Sequence, residues 1–261
     1  MIMITSPSNK QLKQINALNT SGRERRRTGL FVAEGERLVF DAPVEAVESV
    51  FVTQDFYEKH QAGLEKFSDV QIVTDQLLKS VSDTKTPQGI IAIVRKPVFD
   101  VNLSAPGADF FMLLEDVQDP GNMGTIMRTA EGAGVGFVFV SKGCVDLFNP
   151  KTVRSTMGSI FRVPHMVCDD LCDITDSLKK SGVSVYAAHL KGKRTCFEPD
   201  YTSPSAFMIG NEGNGLSDKL ADRATELLKI PMEGRLESLN ASVAASILMY
   251  ETLRQRMPGK R

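Results

Sequence analysis

The sequence predicts an α/β protein of two domains: a small α/β domain, then a mainly parallel sheet flanked by helices. Three observations carry that expectation. Short apolar runs alternate with amphipathic stretches along the chain. A segment containing Pro97, Ser104, Pro106 and Gly107, with no periodic apolar residues, reads as a linker between two halves. In the second half the apolar runs are separated by helical patterns, the arrangement that joins parallel strands. The domains are therefore drawn at 1–95 and 109–261, with the linker at 96–108.

Residues 8–19 place Leu12, Ile15 and Leu18 on one helical stripe, and the cluster Arg23 to Arg27 follows in a glycine-containing turn. Phe31 and Val32 read as a short strand and Glu36 to Phe40 as the start of a helix. Val50 to Thr53, Val70 to Val73 and Ile90 to Val94 read as further strands. The second domain opens with strand Phe110 to Leu114 and continues with Phe137 to Val140, Val183 to Ala188, Ala206 to Ile209 and Leu227 to Ile230. A last helix is expected from Ser238, with Leu239, Val243, Ile247 and Tyr250 forming a wide apolar stripe that packs on the sheet or meets a second subunit.

With 261 residues, 42% of them apolar, the chain can fill a sizeable core. No run approaches the roughly 18 apolar residues of a membrane span, and the polar N-terminus carries no export signal. Cys144, Cys168, Cys172 and Cys196 lack the spacing of a zinc site and read as reduced thiols of a cytoplasmic protein. His165 beside Cys168 and Cys172 invites a metal reading, but a structural site wants four converging ligands, so no metal is expected. Charge is unevenly placed. Up to Arg37, seven basic residues (Lys10, Lys13, Arg23, Arg25, Arg26, Arg27, Arg37) outnumber Glu24, Glu34 and Glu36, while the whole chain carries a net charge of −1. The first segment is thus the expected contact for a polyanion.

The string EGAGVG around Gly132, Gly134 and Gly136 superficially matches a nucleotide-binding glycine loop. Such a loop should follow a strand and open a helix. Here it follows the helical stretch Thr125 to Glu131 and leads into a strand, so it reads as a helix end with a left-handed glycine cap.

Three other loops each follow an apolar strand, and in a parallel sheet all three would share one edge. Loop one, EDVQDPGNMG from Glu115 to Gly124, turns at Pro120 and Gly121, offers Asn122 as a helix cap, and leads to Arg128 two turns on. Loop two, IGNEGNGLS from Ile209 to Ser217, has three glycines that let backbone amides approach a ligand closely, with Asn211 and Glu212 as polar groups. Loop three, IPMEGRLESLNAS from Ile230 to Ser242, ends its strand at Pro231, with Ser238 capping the last helix and Asn240 in its first turn; its length suits a flat heterocycle.

These three stretches, DPGNMGTIMR, NEGNGL and IPMEGRLESLNAS, resemble in order and spacing the signature motifs of SPOUT-superfamily methyltransferases of the SpoU/TrmH type, over roughly 140 residues. The pattern from Ser6 to Arg37 is similar, more weakly, to that family's RNA-binding accessory domain, which implies a small α/β sandwich for the first domain. The resemblance implies a deep trefoil knot in the C-terminal domain, an exception to the unknotted-chain rule. It implies S-adenosylmethionine as methyl donor, bent in the knot and held largely by backbone groups. Gly210, Ile230 and Leu239 match cofactor-touching positions, with Met232, His189 and Leu190 as neighbours, and Asn122, Arg128, Glu212, Ser238 and Asn240 match the active-site motif residues. A homodimer through the knot helices is implied as well.

The reaction expected is methyl transfer to a ribose 2′-hydroxyl of RNA, ribosomal in preference to transfer RNA. A guanidinium has a pKa above ~12 and is a poor base. Arg128 is therefore expected to clamp phosphate and stabilise developing alkoxide charge, with Glu212 orienting it through a bidentate pair and Ser238 and Asn240 bonding the ribose or ordering the loop. Arg25, Arg26, Arg27 and Arg37 are the expected RNA-phosphate contacts. The rivals are a non-catalytic RNA-binding or ribosome-assembly factor, a base-nitrogen methyltransferase and, more distantly, a nicotinamide-dependent oxidoreductase.

Overall fold

The computed structural model describes residues 3–101, 109–236 and 238–257, so residues 102–108 of the expected linker lie outside the described residues. The chain forms two compact units, Met1–Pro97 with Asp146–Phe161, and Val98–Val145 with Arg162–Arg261. A segment of the second half thus packs with the first unit, which a single cut at the linker does not capture.

In the first unit the Leu12, Ile15 and Leu18 stripe makes α1 (Lys10–Thr20), capped by the Asn9 side chain. The arginine cluster that the sequence reading placed in a turn is instead helix α2 (Gly22–Thr28). The Ser21 side chain accepts from the Glu24 N–H at its start, and Gly29 closes its end in a left-handed conformation. Strand β1 (Leu30–Glu34), helix α3 (Glu36–Asp41), strand β2 (Val47–Val52), helix α4 (Gln54–Leu64), strand β3 (Val70–Ile72), helix α5 (Asp75–Val81) and strand β4 (Ile90–Arg95) follow.

The sheet order is β1-β4-β2-β3, with β4 antiparallel to both neighbours and β2 parallel to β3. One face packs Val32, Phe51, Ile91 and Ile93 against Leu12, Ile15 and Leu18 of α1 and Leu77 and Leu78 of α5. On the other, the Phe31 ring lies 5.0 Å from Phe148 and 5.9 Å from Phe161, residues of the 146–161 segment that also supplies α7 (Pro150–Thr156).

The second unit is built on seven strands, all pairs parallel, in the order β7-β6-β5-β10-β8-β11-β9. They are β5 (Phe110–Leu114), β6 (Phe137–Ser141), β7 (His165–Cys168), β8 (Ser184–Ala188), β9 (Arg194–Thr195), β10 (Ser205–Ile209) and β11 (Glu226–Lys229). Helices α8 (Leu171–Lys180) and α9 (Asp218–Ala221) cover one face through Leu171, Leu178 and Leu220, against Leu113, Phe139, Val185 and Met208. Helices α6 (Pro120–Ala133) and α10 (Ala241–Arg256) pack on each other, and α10 also touches β10. Helix α6 ends at Gly134, φ 74°, whose N–H returns to the Ala130 and Glu131 carbonyls, the left-handed cap expected of the EGAGVG string.

The strand order creates the site. From β5 the chain moves outward to β6 and β7, then crosses to β8 on the other side and returns to lay β10 between β5 and β8. The carboxyl ends of β5 and β10 therefore flank the point where winding reverses, which is where open α/β sheets leave a crevice.

Candidate active site

Loops one, two and three leave the carboxyl ends of β5, β10 and β11, and a fourth connection, His189 and Leu190, leaves β8. Ends of β10, β8 and β11, neighbours in the sheet, surround a cavity of about 640 Å³. That volume suits a nucleoside-sized ligand. All five residues expected at the cofactor, Leu190, Gly210, Ile230, Met232 and Leu239, line it, as do His189, Glu212 and Ser238. Among the described residues no cluster of three or more His, Cys, Asp or Glu side chains is placed to hold a metal. His165 instead faces the Val163 carbonyl at 2.8 Å and the Phe99 ring, and Cys168 and Cys172 join the apolar core.

Loop two is a closed cradle. Asn211 and Gly215 exchange backbone bonds of 3.0 and 2.9 Å, and the Asn211 Oδ1 accepts the Gly213 and Asn214 N–H groups at 2.8 and 3.0 Å. Gly215 takes φ +70°, and a Cβ on Gly210 would sit 2.2 Å from the Gly215 carbonyl carbon. Only glycine allows the strand end and the returning loop to touch here. Apolar walls at Ile209, Leu216, Ile230 and Leu239, with exposed backbone at the glycines, fit a heterocycle recognised by shape and main-chain groups, the form of binding that the family resemblance implies for S-adenosylmethionine.

One motif residue from each loop, Asn122, Glu212 and Asn240, is joined into a single hydrogen-bonded chain. Asn240 caps α10, its Oδ1 accepting the Ser242 N–H at 2.9 Å and the Val243 N–H at 3.4 Å, while its Nδ2 donates to the Asn122 Oδ1 at 2.9 Å. The Asn122 Nδ2 in turn donates to the Glu212 Oε1 at 2.9 Å. An ionised carboxylate only accepts, so the direction of every bond back to the helix is fixed. Glu212 also accepts the Gln118 and Asp119 N–H groups at 3.2 and 3.1 Å. Partial burial opposes its ionisation, but the Asn122 amide and these backbone donors outweigh it and hold its carboxyl below the usual glutamate range.

Several expectations need correction. The cap of α10 is Asn240, not Ser238, which makes no hydrogen bond among the described residues. The cap of α6 is Asp119, whose carboxylate accepts the Asn122 N–H at 2.8 Å; the helix starts at Pro120, so Asn122, three places after the cap, already lies in its first turn. Glu212 does not pair with Arg128; its oxygens accept instead from Asn122 and two backbone donors. Arg128 is exposed on α6, outside the cavity lining, and makes no ion pair among the described residues.

In the first unit Arg25 is 4% exposed, its Nε 2.8 Å from an Asp146 oxygen and its Nη1 on the Leu18 carbonyl, so it holds the unit together and is not a surface cation. Arg27 is exposed but paired to Glu24, Arg37 is exposed with Asp41 4.0 Å away, and Arg26 is exposed without an ion pair among the described residues.

Sequence reasoning missed Glu115, Asp116 and Ser217, which hold loop two in place. Glu115 and Ser217 carry only a weak signal, a charged residue ending one apolar strand and a serine beginning a helix.

The comparisons agree with this geometry. Residues 109–250 match the SpoU rRNA Methylase family, and residues 9–92 match the MRM3-like substrate binding domain. The chain is 35% identical over 254 residues, 96% of its length and 98% of the relative's, to the 23S rRNA (guanosine(2553)-2′-O)-methyltransferase RlmP of Bacillus subtilis. It is 29% identical to the 23S rRNA (uridine(2479)-2′-O)-methyltransferase of Streptomyces viridochromogenes, over 97% of this chain and 92% of that one. The crystal structure of the AdoMet-bound rRNA methyltransferase from Sinorhizobium meliloti superposes with a TM-score of 0.84 at 29% identity, covering 98% of this chain and 99% of that one. The chain belongs to the SpoU rRNA methylase family and is an S-adenosylmethionine-dependent RNA 2′-O-ribose methyltransferase, with the knot that membership implies.

Proposed function

We propose that this protein methylates a ribose 2′-hydroxyl of ribosomal RNA, as a cytoplasmic homodimer, with the residue roles that follow. The relatives named for ribosomal RNA align over nearly the whole chain, first unit included, and this supports a ribosomal over a transfer RNA substrate. Helix α10 supports the dimer: Val243 and Tyr250 are exposed and Ile247 half-buried on one stripe, while Ala245, Leu248 and Met249 face its own unit.

The cavity would hold the cofactor through Gly210, Ile230 and Leu239, with Met232 and Leu190 beside them. When bound, S-adenosylmethionine supplies a methyl carbon activated by a sulfonium. The protein must then place the hydroxyl in line and accommodate its proton, and positioning alone is worth several kcal/mol. Asn122, Glu212 and Asn240 spend their hydrogen bonds on one another, which assigns them to fixing the loops in place. Ser238, on the cavity wall without a hydrogen-bond partner among the described residues, is left to bond the ribose.

The single observation that carries the chemical half is Arg128, an exposed cation without an ion pair among the described residues, on the helix that loop one opens. It clamps an RNA phosphate and stabilises charge on the attacking oxygen, and the proton leaves to phosphate or water. Exposed Arg26 and Arg37 add salt-dependent affinity from the first unit.

The test is methylation of ribosomal RNA by the purified chain with labelled S-adenosylmethionine, followed by digestion. A nuclease-resistant dinucleotide establishes 2′-O-methylation, and label on a base sinks the reading. Arg128→Ala is expected to lower kcat by about 10²-fold to 10³-fold with cofactor Kd unchanged. Full activity at saturating RNA would remove Arg128 from the chemistry.

A further inference from the structure

Loop two is held from outside by residues that do not line the cavity. Strands β5 and β10 run parallel with Leu114 opposite Ile209, and the Glu115 N–H still reaches the Ile209 carbonyl at 2.8 Å. Beyond that point loop two turns away through Asn211 to Leu216 and must return to start α9. Its return is caught by Glu115. The half-buried Glu115 carboxylate accepts the Ser217 N–H on Oε2 and the Ser217 hydroxyl on Oε1, both at 2.7 Å. Ser217 is the N-cap of α9, its hydroxyl oxygen also accepting the Leu220 N–H at 3.2 Å.

The departure of the loop is caught one residue further along. The Asp116 carbonyl accepts the Asn211 side-chain amide at 2.8 Å. Asp116 sits at φ 54°, a left-handed conformation that costs a non-glycine residue and persists only where its surroundings impose it. Here the Ser141 hydroxyl imposes it, donating to Asp116 Oδ1 at 2.6 Å and accepting the Asp116 N–H at 2.9 Å. Gly143 leaves the room, since a Cβ there would stand 2.1 Å from that same oxygen.

We propose that Glu115 and Asp116 are positioning residues for the cofactor: a two-point clamp that fixes both ends of the cavity wall formed by residues 210–216. The inference rests on reading the cavity as the S-adenosylmethionine site. A wall containing Gly210, Gly213 and Gly215 has much backbone freedom to lose on binding, and a wall already fastened at both ends loses less. Neither residue needs to touch the cofactor to set its affinity.

The test is calorimetric titration of S-adenosylmethionine into the full chain and its Glu115→Ala, Glu115→Gln, Ser217→Ala and Glu115→Ala/Ser217→Ala variants, with thermal unfolding and the KM for RNA measured beside it. Glu115→Ala is expected to raise the cofactor Kd about tenfold, leaving KM for RNA at the wild-type value. Ser217→Ala raises it less, because the backbone N–H remains as a donor, and the double variant is no worse than Glu115→Ala. Glu115→Gln recovers part of the affinity, its carbonyl oxygen still accepting one bond.

A folded Glu115→Ala variant with wild-type Kd overturns the clamp, whatever its melting temperature, and so do fully additive effects in the double variant. If Glu115→Ala does not fold, Glu115→Gln and Ser217→Ala carry the same comparison. A wild-type chain that binds no S-adenosylmethionine overturns the cofactor reading and the clamp together, whereas wild-type binding with unchanged variants overturns the clamp alone.

Discussion

Loops two and three line the same cavity and are built in opposite ways. Loop two is bonded across itself between Asn211 and Gly215, and to the β5 extension at Glu115, Asp116, Gln118 and Asp119. Loop three, from Pro231 to Leu236, makes no hydrogen bond among the described residues, and most of it is exposed. One wall is held by its own hydrogen bonds, and the other is expected to gain order when the cofactor binds. On that expectation shape recognition falls to loop two, and most of the ordering cost of binding falls to loop three.

Glycine substitutions test that difference most severely. At Gly210 a Cβ would meet backbone at 2.2 to 2.3 Å on three atoms, none of which moves without opening the cradle. Gly210→Ala is expected to abolish measurable cofactor binding and to lower stability by about 1–3 kcal/mol, as overpacking does. A Cβ on Gly234, in loop three, meets nothing within 4 Å, and Gly234→Ala is expected to bind nearly as wild type. Calorimetry on the pair decides: equal losses would mean that the loops do not differ as described.

Asn122→Ala tests the link between the two loops. Among the described residues it removes the only side chain that bonds both Glu212 and Asn240, leaving two part-buried hydrogen bonds unmade and the carboxylate short of one donor. The expected cost is about 0.5–1.5 kcal/mol, larger at neutral pH than in acid. The sign follows from Glu212. Its carboxyl titrates below the ordinary glutamate value in the folded protein, so it adds stability above that value and loses it as pH falls through the depressed pKa. Asn122→Ala relieves part of the depression, and the gap between variant and wild type should narrow in that acid window. A gap independent of pH would remove Glu212 from the link.

What the sequence revealed, and what it did not, follows the range of the forces. Strands β5, β6, β8, β10 and β11 were legible because covered parallel strands read as continuous apolar runs. Strand β7 was not, since it lies at the sheet edge with Val167 exposed, and β9 has only two residues. Helix α2 carried a readable capping signal in Ser21 and Glu24, which the glycine and the arginines masked. Arg25 was misassigned because its partner Asp146 is 121 residues away. Charge alone suggested Arg128 for Glu212, yet nearby backbone N–H groups and an amide satisfied it first. The cofactor-wall residues were found together through the family resemblance, whose motifs are contiguous stretches of sequence, whereas the clamp at Glu115 depends on a partner 102 residues further on.

The smallest effect expected is also the most direct view of loop three. Arg235 is exposed at its tip, in a stretch without hydrogen bonds among the described residues, while loop two has no lysine or arginine between Gly210 and Asp218. Trypsin cleavage after Arg235 therefore reports the opening of loop three alone. Local opening of a segment without hydrogen bonds costs little, so cleavage there should precede global unfolding and follow the population of open loop. Saturating S-adenosylmethionine is expected to slow it severalfold without altering the rate of cuts in the first unit. Protection spread evenly over the chain would mean that the cofactor stabilises the whole fold and that loop three is no looser than its counterpart. Cleavage after Arg235 that ignores the cofactor would remove this loop from the closing wall and leave loop two as the only part of the cavity that responds to its ligand.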